Sequence, residues 1–299
     1  MSELAHTPYA GSRTPFSIGL APLDLSDWIE PDKRLAAYLA EKRRLFSEKR
    51  DGVFGEEADT RDAQAEVLAL LADYLPERFP DIYRRDGDRI VIAGVDTSVD
   101  LEQDEAPLAI ASFLVQEDLV LMRSSPEGYR LVAASLCFPS SWSLAEKFGQ
   151  PMSAIHNPVP HWEGKMGTLV DRIFDKLKVG QPVWRLNWSI YPDAELHHPE
   201  SKGAPRNWFS GSLPPRAFVR VERQTLRRLP VSGDILFTIK VCVDPFEALG
   251  RHPDGARLAA GLRTQILSLD EAQLTYKAML AHRDRIIAAL DKIAPAASA

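Results

Sequence analysis

The hydrophobic period of this chain changes at residue 86, and that change restricts the folds open to it more than any other feature. Before it, apolar residues recur at helical spacing: one helix opens at Asp32 and runs through RLAAYLAEKRRLF, and a second, Thr60 to Leu75, carries Val67, Leu68, Leu71 and Tyr74 on one stripe. After it the period is two. RIVIAG reads as a strand, and EDLVLMRS and YRLVAASLCFP, separated by SPEG, read as two more that form a hairpin. A helical and irregular segment, Trp142 to Leu177, follows. Then PVWRLNWSIY, AFVRVERQTLRRL and DILFTIKVCV read as three further strands, the last two joined by PVSG. Two helices close the chain, Asp254 to Leu267 and Asp270 to Ile293, the second with Leu274, Ala278, Ala281 and Leu290 along one stripe.

Strands, a helical crossover and strands again, with helices at both ends, predict an α+β fold built on an antiparallel sheet. Two strands, a helical middle and three antiparallel strands match the plan of a PAS-type domain, which often holds a ligand between its sheet and middle helices. One domain is expected, with residues 1–85 as an N-terminal arm and helices, 86–250 as the PAS-like core and 251–299 as C-terminal helices. Residues 1 to 30 are proline-rich, but Phe16, Ile18, Leu20, Leu23, Leu25 and Trp28 are too apolar for a free tail, so this arm is expected to lie across the core.

Composition narrows the partners. With 299 residues, 45% of them hydrophobic, the chain can bury a full core. Its 36 basic and 42 acidic residues are mixed along its length, which provides neither a nucleic-acid surface nor an acidic tail. Two cysteines, Cys137 and Cys242, are too few for a disulfide framework, an iron–sulfur cluster or a four-thiolate zinc site, and both read as core residues. No run of 18 apolar residues and no signal-peptide pattern occurs, so no membrane association and a cytoplasmic location are expected.

The stretch PMSAIHNPVPHWEGK places His156 and His161 among three prolines. An imidazole on a stiffened backbone suits a metal or a heme iron, and it equally suits a carbonyl in a turn; the residues alone leave both open. In VRVERQT, alternation puts Val219, Val221, Arg223 and Thr225 on one face and Arg220, Glu222 and Gln224 on the other. Arg223 therefore falls on an apolar face, where a guanidinium requires an anion: a propionate, an internal carboxylate or a substrate-orienting acid. In WRLNWSIY, Trp184, Leu186, Trp188 and Ile190 alternate with Arg185, Asn187, Ser189 and Tyr191.

WRLNWSIYPDAEL, RVERQTLRRLPVSGDILFTIKVCVDPFEAL, IHNPVP and the opening FSIGLAPLDLSDWIEPD together resemble the alpha subunit of heme-dependent oxidative N-demethylases. The resemblance spans most of the chain. It implies a PAS-like heme oxygenase that uses O2 to remove a methyl group from a small secondary alkylamine as formaldehyde. Heme b would be the cofactor, with electrons from NAD(P)H arriving through FMN and a 2Fe-2S centre. This chain shows no G-x-G-x-x-G after a strand and no cysteine set for a cluster, so those groups are expected on flavin- and ferredoxin-type reductase subunits.

With the resemblance, His156 becomes the expected iron ligand, Ile155 and Val159 the walls beside it, and His161 the runner-up. His197 and His198 are expected on a solvated loop. Arg223 is expected at the cofactor or the substrate. Asn187 and Tyr191 are candidates to donate hydrogen bonds to bound oxygen or substrate, and Glu195 to hold a protonated amine; each also has a plain structural reading. Arg216, Arg220, Arg227 and Arg228 would form either a docking patch for an acidic electron donor or an ordinary solvated strand face. Two other readings stay open: a PAS-derived sensor that holds a ligand without turnover, and a non-heme iron site made from His156, His161 and Glu163.

Overall fold

A computed structural model describes residues 4–11, 15–161, 165–201 and 217–294. A short edge strand, β1 (Ala21–Pro22), precedes helix α1 (Leu35–Val53), strand β2 (Phe54–Glu56) and helix α2 (Arg61–Arg78). Three short strands, β3 (Tyr83–Asp86), β4 (Arg89–Ile92) and β5 (Val99–Asp100), lead to α3 (Pro107–Ser112) and the hairpin β6 (Asp118–Ser125) and β7 (Gly128–Ser135). The middle segment holds α4 (Leu144–Lys147), α5 (Met152–His156) and α6 (Lys165–Lys176). Strands β8 (Val183–Tyr191), β9 (Phe218–Arg228) and β10 (Ile235–Pro245) follow, and α7 (Phe246–Arg251), α8 (Gly255–Leu267), α9 (Glu271–Tyr276) and α10 (Arg283–Asp291) close the chain.

The α+β class and the plan of two strands, helical middle and three strands are both present. The large sheet is antiparallel throughout its pairings and runs β1-β8-β9-β10-β6-β7-β2, so the hairpin β6–β7 joins the late strands through β10 rather than through its sequence neighbour β8. RIVIAG forms a strand as expected, β4, in a separate three-stranded sheet, β3-β4-β5, which packs with α1 and α2. The last helix is a correction. In place of one helix from Asp270 to Ile293, α9 stops at Tyr276 and α10 starts at Arg283, and between them Ala278 takes φ 53°, in the left-handed region that a helix interior cannot hold.

Register fixes what each face of the sheet does. Asn187 pairs with Glu222 and Arg185 with Gln224, whereas Leu186 pairs with Arg223 and Trp188 with Val221. Directly paired residues share a face, so Arg185, Asn187, Glu222 and Gln224 lie together, and Leu186, Trp188, Val221 and Arg223 lie opposite. The second face is covered by helices. Leu119, Leu121 and Leu236 pack with Leu39, Leu45 and Leu71 of α1 and α2 and with Trp28 and Ile29 of the N-terminal arm. Further along, Ile190, Val219 and Val221 pack with Leu258, Leu262 and Leu290 of α8 and α10. Each fully buried aliphatic side chain of this kind contributes about 1.5–3 kcal/mol. Trp28 and Ile29 are fully buried, which places the arm across the core as expected.

The first face carries a different load. Val120, Met122, Leu131, Leu226 and Ile235 meet Leu144 of α4 and Phe174 and Leu177 around α6, leaving a space between sheet and middle helices. No described helix is long and apolar enough to cross a membrane.

Candidate cofactor and substrate cavity

That space is a cavity of about 530 Å³, inside the range of roughly 300–1,000 Å³ occupied by cofactor and small-molecule sites. Its sheet wall is apolar at the hairpin end, with Val120, Met122, Leu131, Leu226 and Phe237, and polar at the β8–β9 end, with Arg185, Asn187, Glu222 and Gln224. Met152, Ile155, His156, Val159, Val170 and Phe174 form the opposing wall. Residues Pro15–Leu20 of the arm and Tyr276–Lys277 at the C-terminal end of α9 complete it.

His156, Ile155 and Val159 are therefore brought together as the sequence led us to expect. His156 ends the one-turn helix α5, and its Nδ1 lies 3.1 Å from the Met152 carbonyl oxygen, four residues back. A carbonyl can only accept, so in the neutral ring Nδ1 carries the proton and Nε2 keeps its lone pair, the arrangement that presents an imidazole to a metal. Tyr191 is buried in the wall, and its hydroxyl lies 2.8 Å from the Ser141 hydroxyl. Asn187 donates to the Glu222 carboxylate (Nδ2 to Oε2, 3.1 Å), and Gln224 donates to the same oxygen (2.8 Å).

Other expected residues stand elsewhere. His161 has φ 62°, is exposed and holds Asp270 of the α9 N-cap at 2.8 Å, away from the cavity wall. Glu163 lies outside the described residues, and no group of three or more histidine, cysteine, aspartate or glutamate side chains among the described residues has metal-binding geometry. Glu195 is exposed; its backbone N–H donates to Asp193, and it is not part of the cavity wall.

Arg223 occupies the sheet face turned from this cavity. Its Nε lies 3.3 Å from Glu30, its guanidinium donates to the Asp27 and Trp28 carbonyls, and it sits 5.6 Å from the Trp184 ring centroid. Of the three anions considered for it, the internal carboxylate is the one it meets, and this ties the arm to β9.

His197 and His198 are not on a solvated loop. His197 Nδ1 lies 2.8 Å from the Cys137 carbonyl, and His198 pairs with Asp193 at 3.1 Å while packing on the Tyr191 ring. The arginine patch dissolves as well. Arg220 is fully buried and donates to Ser140 and to the Phe138, Pro139, Glu195 and Leu196 carbonyls. Arg227 lies over the Trp28 ring, Arg228 donates to Leu177, Gly233, Tyr129 and Phe174, and Arg216 lies outside the described residues.

Three cavity cations went unmarked in the sequence: Lys147, Arg185 and Lys277. Burial pushes both lysines down to about 8, opposed at Lys147 by Glu146 and Glu222 and at Lys277 by Glu222, where Arg185 adds to the fall. Burial also lowers the Arg185 guanidinium, again against Glu222. Only Arg185 had a sequence signal, as the strand partner of Asn187 in the alternation; Lys277 reaches the wall because α9 breaks.

An apolar slot, one imidazole in its wall and several cations for carboxylates are what a heme requires, and the residues present fit that group. Fold and cavity together thus define an α+β protein with a chamber between its sheet and middle helices. The chain belongs to the family described as haem-dependent oxidative N-demethylase, alpha subunit-like, whose model matches residues 19–287. That family is an oxidoreductase class, and the words alpha subunit imply companion subunits.

Proposed function

We propose that this chain is the heme-bearing catalytic subunit of an enzyme that oxidatively N-demethylates a small secondary alkylamine, dimethylamine or a close analogue. The reaction balances as dimethylamine, O2, NAD(P)H and a proton giving methylamine, formaldehyde, NAD(P)+ and water. The observation that carries this reading is His156, its Nδ1 at the Met152 carbonyl, in the wall of a cavity whose opposing sheet wall is apolar at the hairpin end. The PAS-like strand plan supports it, since such domains hold ligands between sheet and middle helices.

When bound, heme b would supply the activation of dioxygen. His156 Nε2 would hold the iron, and Ile155 and Val159 would exclude water beside it. Amine recognition passes from Glu195 to Glu222, the carboxylate in the wall, because an ammonium is costly to desolvate without a counter-charge. Asn187 and Gln224 hold that carboxylate in place, and Tyr191 offers a hydroxyl to substrate or oxygen. Electrons would come from NAD(P)H through FMN and a 2Fe-2S centre on partner subunits in the cytoplasm.

Titration of the purified chain with hemin is expected to give a strong Soret band. The band is lost in His156→Ala and restored by added imidazole in His156→Gly, with circular dichroism checking the fold. A colourless wild-type protein would end the reading. The strand plan taken alone favours a sensor that binds heme without turnover. Amine-dependent NAD(P)H oxidation with formaldehyde release, measured with the reductase subunits present, separates the two.

A further inference from the structure

Several buried cations among the described residues are matched. Lys42 donates to the Ser112 and Glu117 carbonyls, Lys240 pairs with Asp32 at 3.1 Å, Arg220 has five acceptors and Arg223 has Glu30. Arg185 breaks the pattern. Its Nε is buried with no hydrogen-bond partner, and its guanidinium makes one long hydrogen bond among the described residues, Nη1 to the Ile18 carbonyl at 3.4 Å. Among the described residues it makes no ion pair. Lys277 lies close enough for the two cations to repel, donates to the Trp188 carbonyl and packs over the Phe16 and Trp188 rings. The nearby carboxylate, Glu222, already takes two amides on one oxygen.

A guanidinium taken out of water beside a second cation costs several kcal/mol unless an anion joins it, and its planar fork matches a carboxylate. We propose that Arg185, with Lys277 beside it, forms a carboxylate-binding subsite in the cavity wall. Its ligand is either a heme propionate or the carboxylate of an N-methyl amino acid whose ammonium Glu222 holds. The subsite rests on the cavity being the working site proposed above.

The test uses the full chain without heme. Hemin and its dimethyl ester, which lacks the propionate charges, are titrated into wild type and Arg185→Met by Soret absorbance. N-methylglycine and dimethylamine are titrated by calorimetry. If the propionate is the ligand, wild type prefers hemin over the ester by about tenfold or more and Arg185→Met loses the preference. If substrate is the ligand, hemin binding is unchanged and N-methylglycine weakens by about tenfold or more in the variant. Wild-type behaviour of Arg185→Met toward both carboxylates overturns the subsite. Should that variant fail to fold, the wild-type comparisons decide, and no preference for either carboxylate compound overturns it. A wild-type chain that takes up no hemin defeats the proposed function, while the calorimetric arm still reads the subsite.

Discussion

Arg223 and Arg185 show how little a residue's type says about its task until its face is known. Both sit on strands of one sheet, yet one locks the arm with Glu30 and the other lines the chamber. Arg223→Met should therefore lower stability by about 2–4 kcal/mol in urea denaturation, since it removes the guanidinium from the Asp27 and Trp28 carbonyls and leaves Glu30 to His6. Hemin uptake should be retained, and a variant that folds normally but loses the Soret band would contradict the assignment. Lys277 makes a pH prediction. A base lowered from 10.5 to about 8 in the folded state penalises folding at neutral pH, because the charged form is the one burial disfavours. The penalty is relieved as pH rises from about 8 towards 10.5, where the unfolded chain binds more protons than the folded one. Lys277→Met should raise the melting temperature of the heme-free protein at pH 7 by a few degrees, at about 2–4 °C per kcal/mol. The gain should shrink at pH 10, and an equal gain at both pH values would count against a buried ammonium.

Between elements, the decisive contacts are close approaches and breaks that hydrophobic periodicity does not register. At Gly261 of α8 a Cβ would stand 2.5 Å from the Tyr9 carbonyl oxygen, so the absence of a side chain lets the arm lie on the helix. Alanine is the better helix former there by about 1 kcal/mol, but a backbone clash of that depth outweighs the preference. Gly261→Ala should destabilise the protein by about 1–3 kcal/mol and speed amide exchange around Tyr9. Unchanged exchange with raised stability would show that the arm is not held this way. The stripe Leu274, Ala278, Ala281 and Leu290 concealed the break after α9, because the periodicity of the two pieces nearly joins across it. Leu274 and Leu290 are in fact buried in the same cluster, reached by separate helices.

Over the whole molecule, one sheet separates two environments: a packed core of helices on one face and the chamber on the other. Ligand binding to the folded state alone stabilises by mass action, about 4 kcal/mol when free ligand exceeds its dissociation constant a thousandfold. Hemin should accordingly raise the melting temperature in a concentration-dependent way and slow amide exchange in α5 and α6, which form the chamber wall. Exchange that slows only in α1 and α2 would place the ligand on the wrong face. The sequence by itself determined the α+β class, six of the ten described strands, the family, the sorting of β8 and β9 residues into two faces, and the place of His156, Ile155 and Val159 in the middle segment facing the sheet, because period and motif are local and survive in one dimension. Tertiary structure alone decided which sheet face borders the chamber, and so moved Arg223 out and Glu222 in. It also buried Arg220, set His161 apart, and brought Lys277 from the far end of the chain to Arg185. Those outcomes depend on what covers each face, a long-range packing choice that alternation leaves equal in both directions.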